Sequence, residues 1–432
     1  MKTMAELQYH YGLKMRIYPS TKQKEIIKLN GNVARQMYNI YVATNTELYY
    51  INQVKGVYIE QLAQRKEQLE KRLKTLAEIK NVHPNLYNSD IDSNTIANAK
   101  RNYQKAWNNF RKVKNAGIPK FHRKSFAYAY QAKCGYTAKQ EMSPYNGSIH
   151  FTDQNHLRMP KLGVIRVSGS QKRILNHKTD FRIGTVTVRH SSTDKYYVSL
   201  SLASDTPFVE PKVKTGKSVG VDLNIENFLA TSQFTMVENP RYYRKALVRL
   251  QHAQRKLSRR QRRAEAEHRP LSKSANYIKQ RQVVAKIYEH VTNCRTNFIQ
   301  NLTSQLLTEN DVVVAERLLS SNMLKNHHLA QSISDVGWRE FLTTMTNKAQ
   351  LWDKTFIMVD PKNTTQTCSN CGSIMGHNGH PKLTLNVRNW TCPDCGTKHI
   401  RDCNAAQNIL AKGLNTIKKE KTKSVKKVQA VA

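Results

Sequence analysis

Acidic residues are scarce in this chain. Its 432 residues include 31 Asp and Glu against 70 Lys and Arg, a formal net charge of +39. That surplus exceeds what solubility needs and argues against small-molecule metabolism. It implies a polyanionic partner, most commonly nucleic acid. Basic ribosomal and architectural proteins share such a charge but are usually much shorter. Long apolar runs are also missing. None approaches the roughly 18 residues that span a bilayer, and the stretch from Met1 to Tyr11 lacks the apolar segment of a secretory signal. The expectation is a protein of the prokaryotic cytoplasm or nucleoid, with no membrane partner. Cysteine is sparse except in one place: of seven, five lie between Cys368 and Cys403. In a reducing compartment such a cluster points to metal rather than disulfides.

Along the chain, Leu13-Lys14-Met15-Arg16-Ile17-Tyr18 alternates like a half-buried strand, and Pro19 ends it. Ser20 with Gln23 forms a capping-box signature for a helix. Further helical stretches are predicted over about 60–80 and 93–114. Strands are predicted at Val164–Val167, Thr185–Val188 and Tyr196–Leu202, in a sheet or barrel that recruits the first strand. Pro207, Pro211 and nearby lysines read as a linker. Beyond it, Val219–Leu223, Phe228–Ala230, Val312–Ala315 and Phe356–Val359 are buried-strand patterns alternating with helices, which implies an α/β domain. Between 241 and 286 there are fifteen Lys and Arg and only two acids, Glu265 and Glu267.

Cys368-Ser-Asn-Cys371-Gly and Cys392-Pro-Asp-Cys395-Gly are paired knuckles that suit a tetrahedral Zn²⁺ site, each followed by the glycine a tight turn needs. Four thiolates close such a site, so the expected role is structural. His377, His380 and His399 are substitute ligands by type, and Cys403 reads as a helix-packing residue. The few acids are informative by position. Asp222 lies inside an apolar strand pattern, Glu316 ends another, and Asp402 precedes an Ala- and Ile-rich helix. Burying a carboxylate costs several kcal/mol unless it is paired or binds metal. Three at the ends of α/β elements suit two divalent ions, Mg²⁺ by ligand type, for in-line attack on a phosphodiester. Each acid alone also reads as a cap or an ion-pair partner: Glu316 with Arg317, Asp402 as an N-cap, Asp360 capping the turn at Pro361. Spacing leaves both readings open. Arg255, Lys256, Arg259, Arg260, Arg262 and Arg263 crowd one helical stretch at a density that suits phosphate contacts.

These motifs, in this order, resemble the TnpB family of transposon-encoded RNA-guided nucleases, whose core also occurs in compact type V CRISPR effectors. Val-Gly-Val-Asp222-Leu-Asn resembles the first RuvC motif, Val-Ala-Glu316-Arg-Leu the second, and Arg401-Asp402-Cys-Asn404-Ala-Ala-Gln-Asn-Ile the third. Val359 to Gly372 resembles the family's entry into its zinc ribbon. Met15 to Pro19 with Gln23 resembles its N-terminus, and Gly117-Ile-Pro119-Lys-Phe121 its link into the barrel. Asn224 stands where many relatives have Gly.

The resemblance implies a multidomain α+β and α/β protein. A RuvC-like RNase H-fold nuclease domain with an inserted zinc ribbon is preceded by a wedge β-barrel with an inserted helical recognition domain. The boundaries expected are 1–19 for the first wedge strand, 20–117 for the recognition helices, 118–206 for the wedge and 207–217 for a linker. The nuclease domain takes 218–364 and 397–412, the ribbon 365–396, and a basic disordered tail 413–432. Also implied are a guide RNA and a double-stranded DNA target as partners, the transposase of the same element as a further one, and metal-dependent cleavage at Asp222, Glu316 and Asp402. The same core fits a CRISPR effector or a guided repressor that does not cut, and such genes have also been labelled transposases.

Overall fold

The computed structural model describes residues 2–55, 58–137, 139–317, 335, 337–377, 379–384 and 386–429. The chain divides into two units, one ending at Phe208 and the other starting at Val209.

In the first unit, strand β1 (Tyr9–Tyr18) buries Leu13, Met15 and Ile17 and turns Lys14, Arg16 and Tyr18 outward. After Pro19, Ser20 caps helix α1 (Thr21–Ile51): its hydroxyl accepts from Gln23 N, and Gln23 Oε1 accepts from Ser20 N at 2.9 Å. Helices α2 (Tyr58–Lys74), α3 (Leu76–Val82) and α4 (Ser93–Lys112) follow. Val33, Met37 and Tyr41 of α1 pack against Ile96, Ala99 and Tyr103 of α4. Strands β2 (Tyr128–Lys133), β3 (His150–Asp153), β4 (His156–Met159), β5 (Gly163–Gly169), β6 (Arg182–His190) and β7 (Tyr196–Ser204), with the short helix α5 (Gln171–Leu175), complete the unit. The antiparallel sheet runs β2-β6-β7-β1-β5-β4-β3. β1 is therefore central, paired with β7 from Tyr9↔Ser204 to Ile17↔Tyr196. The sheet curls over one core, to which Leu13, Tyr130, Phe151, Leu157, Ile165, Val186 and Val198 each contribute from a different strand.

The second unit opens with strands β8 (Ser218–Leu223), β9 (Asn227–Thr231) and β10 (Met236–Glu238). A helical hairpin follows, α6 (Tyr242–Ala266) and α7 (Ala275–Glu309), then β11 (Val312–Glu316), α8 (Trp338–Leu351) and β12 (Thr355–Val359). The sheet order is β10-β9-β8-β11-β12, with β8, β11 and β12 parallel and β9 and β10 antiparallel. One face of the sheet, with Val219, Val221, Val313 and Ala315, packs on Ile299, Leu306 and Phe341 of α7 and α8. The other face is covered by the last helix, α9 (Arg401–Gln429), through Ile409 against Val314 and Val359. Gly220 makes that close approach possible. A Cβ there would stand 2.0 Å from Ala406 O, so any side chain would push α9 off β8. Short strands β13 (Asn389–Thr391) and β14 (Lys398–Ile400) pair just before α9.

The tail expected to be disordered from 413 is corrected by the structure. α9 runs on to Gln429, Gly413 is buried against Val314, and Thr416 Oγ1 donates to Lys412 O. The stripe Ala405–Ile409–Gly413 carries the helical spacing up to that boundary, where Gly413 packs on Val314. Residues 430–432 of that segment lie outside the described residues.

Candidate metal centre and acidic cluster

The four cysteines converge. All four sulfurs lie within 4.8 Å of one another, with Cys368 to Cys395 at 3.7 Å and Cys371 to Cys392 at 3.6 Å. A tetrahedron with Zn–S bonds of roughly 2.3 Å has edges of about 3.8 Å, so the thiols fit zinc. The knuckles share a turn: Gly372 N donates to Cys368 O and Gly396 N to Cys392 O, both at 2.9 Å, with φ of +83° and +69°. Met375 and Trp390 form the small core beneath. Burial pushes the Cys368 and Cys392 thiols up. Hydrogen bonds from Thr397 pull Cys395 down to about 6, and hydrogen bonds from Ser373 lower Cys371. The exposed pair is thus shifted toward the thiolate, the form that binds a cation. Buried His399 sets its Nε2 3.1 Å from Cys368 Sγ, as an outer neighbour of the four sulfurs. His380 bonds Asp394 instead. Cys403 is buried within α9 and is not part of the cluster.

The three acids meet on the face of the sheet covered by α9. Val314 pairs with Gly220 and Ala315 with Val221. One step further, Glu316 ends β11 and Asp222 stands one residue before the end of the adjacent parallel β8, and both share the face of Gly220 and Val314. α9 crosses that face and carries Asp402 in its first turn. Asp222 keeps some exposed surface, yet protein surrounds most of its carboxylate. Burial first, then the charges of Glu316 and Asp402, push its pKa up to about 8. Burial also raises Glu316, against the opposing pull of the Thr364 hydroxyl and Lys412. Among the described residues, no trio of His, Cys, Asp or Glu outside the four cysteines brings its ligand atoms within 4.8 Å, these three acids included.

Each acid has polar neighbours. Thr364 Oγ1 donates to Glu316 Oε1. Asp402 accepts from Asn224 Nδ2 at 3.2 Å, from Arg401 Nη2 at 3.4 Å and from Arg388 Nη1 at 3.5 Å. Arg388 also pairs with Glu226. The simple cap reading holds for Asp360, whose Oδ1 accepts from Lys362 N at 2.9 Å. It does not hold for Asp402, which lies inside the first turn. Sequence reasoning passed over Thr364, Arg388 and Arg401 as functional neighbours. Their only signal was proximity to the cysteine and Asp402 motifs.

On α6, Leu250, Ala253 and Leu257 pack against Val284 and Ile287 of α7. Arg255, Lys256, Arg259 and Arg262 are exposed, and Arg255, Arg259 and Arg262 share one face at i, i+4 and i+7. Arg260 is half-buried and donates to Asn276 O at 2.6 Å, and Arg263 pairs with Glu267 at 2.9 Å. The six residues are thus four open cations and two that already have protein partners.

Fold and site define a strongly basic α/β protein with a four-thiol metal centre and a separate crowded acidic cluster. Family models match in three places: "Helix-turn-helix domain" over residues 10–53, "Probable transposase" over 186–327 and "Cas12f1-like, TNB domain" over 338–409. Residues 10–53 here form one strand and one continuous helix. A Streptomyces pristinaespiralis protein named "Putative RNA-guided DNA endonuclease" is 30% identical over 412 residues, 94% of this chain and 90% of that one. A protein of Escherichia coli strain K12 with the same designation and the name InsQ is 26% identical over 354 residues, 78% of this chain and 79% of that one. A solved complex, Cas12f1 with sgRNA and target DNA, shares 15% identity at a TM-score of 0.42, covering 93% of this chain and 98% of that one; a likeness that distant carries no argument. The chain belongs to the TnpB family of RNA-guided DNA endonucleases.

Proposed function

We propose that this protein is an RNA-guided DNA endonuclease of a transposable element. It binds a guide RNA, pairs it with one strand of double-stranded DNA beside a short motif, and hydrolyses phosphodiester bonds of the DNA. Family membership supports the activity. One observation in this chain supports the site: in a chain of +39, three acids share one sheet face, and burial first, then the charges of Glu316 and Asp402, push the pKa of Asp222 up to about 8. Perturbed groups of this kind mark functional sites.

The catalytic assignment is Asp222, Glu316 and Asp402, within a RuvC-like RNase H-type domain built on the second unit. The three-strand meander followed by parallel strands supports that fold reading. Oxygen donors of this type suit Mg²⁺, which when bound supplies positive charge for the attacking and leaving oxygens of the phosphodiester. Asp222 and Glu316 hold their carboxylates from rigid strand ends, and Asp402 holds its own from a helix packed on the same strands. Arg401 and Arg388 partly offset the negative charge of Asp402. The curled sheet and helices of the first unit are read as the wedge and recognition domains, and 365–396 as a zinc ribbon whose metal is structural. The open cations Arg255, Lys256, Arg259 and Arg262 suit phosphate contacts along a guide–target duplex. The transposase of the same element is a further partner in this reading, and the cytoplasm or nucleoid the place of action. No helix among the described residues is long and apolar enough to cross a membrane. The test is to sequence the RNA that copurifies, supply DNA complementary to it, and compare cutting by the parent with cutting by Asp222→Asn. Parental cutting by the variant would overturn the site assignment.

A further inference from the structure

One face of α9 grips the chain on its way from β12 to the cysteine centre. Asn404, Asn408 and Lys412 follow one another at i, i+4 and i+8, so they line one side of the helix. Asn404 Nδ2 donates to Thr367 O at 2.8 Å, and its Oδ1 accepts from Ser369 N at 2.9 Å. Asn408 Nδ2 donates both to Thr364 O at 2.8 Å and to Thr367 O at 2.7 Å. Lys412 Nζ donates to Asp360 O at 3.3 Å and to Lys362 O. Most of residues 360–369 lies outside any strand or helix, so its carbonyls must find partners elsewhere, and the helix face provides them.

The gripped segment holds two things in place. At one end is Cys368, the residue after Thr367. In the middle is Thr364, 1% exposed, with its hydroxyl against both Glu316 Oε1 and Pro361 O. A hydroxyl has one proton to give. The ionised carboxylate is the stronger acceptor, and it makes the closer approach. The free end of a glutamate has three rotatable bonds, and this single donor selects one orientation for it.

We propose that Asn404 and Asn408 are positioning residues for Glu316, acting through Thr364: the asparagines fix the backbone of 364–369, and that backbone aims the Thr364 hydroxyl at the carboxylate. What Glu316 then does rests on the endonuclease reading above. The clamp also joins the two centres. The segment that orients Glu316 is continuous with Cys368.

The test uses the full chain with its copurified RNA, three new variants and Asp222→Asn as the control for the site itself. Thr364→Val exchanges the hydroxyl for a methyl group of the same shape. Thr364→Ser restores the hydroxyl. Asn408→Asp keeps the size and removes the amide donor. Mn²⁺ binding is read by electron paramagnetic resonance, single-turnover cleavage with Mg²⁺, zinc by elemental analysis, and folding by thermal melting. Thr364→Val and Asn408→Asp are expected to weaken Mn²⁺ binding and slow cutting about tenfold, with Thr364→Ser near the parent, a size typical of outer partners of metal ligands. Zinc content and RNA affinity should not change. If Thr364→Val binds Mn²⁺ and cuts like the parent while Asp222→Asn does not cut, the positioning role is wrong. If Asn408→Asp loses zinc or melts early while Thr364→Val is parental, the asparagines only hold the fold, which also overturns it. If Asp222→Asn cuts like the parent, the fault lies with the endonuclease site and not with the clamp.

Discussion

The ammonium of Lys354, its side chain fully buried, meets the carboxylate of Asp311 at 2.5 Å. Lys354 Nζ also donates to Val213 O, and Asp311 accepts from Thr215 N and Gly216 N. Together they pin the segment that enters the second unit to the start of β11 and β12. The Lys354 hydrogen bond, then the backbone N–H of Thr215, holds Asp311 well below the usual carboxylate range. A depressed carboxylate stabilises the fold above its unfolded pKa of about 3.9 and loses that contribution as pH falls below it. Asp311→Asn should therefore melt earlier than the parent at pH 7, with the gap starting to narrow once pH falls below about 4. Melting curves across that range check the sign, and a gap independent of pH contradicts it.

Asp222→Asn should abolish cleavage while leaving guided binding intact, because pairing and basic surface, rather than the acids, hold the nucleic acid. Because burial first, and then Glu316 and Asp402, raise the folded pKa of Asp222 to about 8, this carboxyl weakens the metal-free fold as pH rises from its unfolded pKa of about 3.9 to about 8. In chelator at pH 7 the same change should therefore raise the melting temperature, by about 2–4 °C for each kcal/mol of that penalty removed in a unit of this size. Gel shifts, cleavage assays and melting in chelator read the three effects separately. A lower melting temperature would show that the carboxylate supports the fold.

Cys368→Ser or Cys395→Ser should remove zinc and expose the 365–396 region to protease, since structural zinc contributes folding free energy directly. Cleavage should weaken with it. His399→Ala should keep one zinc per chain and lower its affinity by about 10–100-fold, as expected for an outer partner. Elemental analysis against a graded chelator distinguishes the two classes, and full loss of zinc in His399→Ala would make His399 a ligand.

Replacing Arg255, Lys256, Arg259 and Arg262 with Gln should flatten the salt dependence of RNA binding by about 0.7–0.9 in the log–log slope for each phosphate no longer neutralised. Arg260 and Arg263, already engaged by Asn276 and Glu267, should contribute less when replaced. Filter binding from about 50 to 200 mM salt measures the slope, and an unchanged slope in the fourfold variant would mean that this face of α6 meets no phosphate.

Local chemistry was enough for much of this protein. The alternation of Leu13, Met15 and Ile17, the Ser20–Gln23 capping box and the buried-strand patterns at 219–223 and 312–315 each depend on near neighbours in sequence, so they read correctly without a fold. The paired knuckles likewise reveal four thiols suited to one ion. What sequence could not supply was distance between remote segments. Asp222 and Glu316 become neighbours only because β8 and β11 pair in parallel with Val314 opposite Gly220. Asp402 joins them only because Gly220 lets α9 lie flat on β8. The bond from Thr364 to Glu316 spans 48 residues, and its cause, the asparagine face of α9, lies some forty residues further on. The helix beyond 413 was missed for the same reason: a lysine-rich composition suggests disorder, while burial of Gly413 against Val314 is a tertiary contact. Propensity and spacing decide which element forms; register and packing, set by contacts between distant segments, decide which side chains meet.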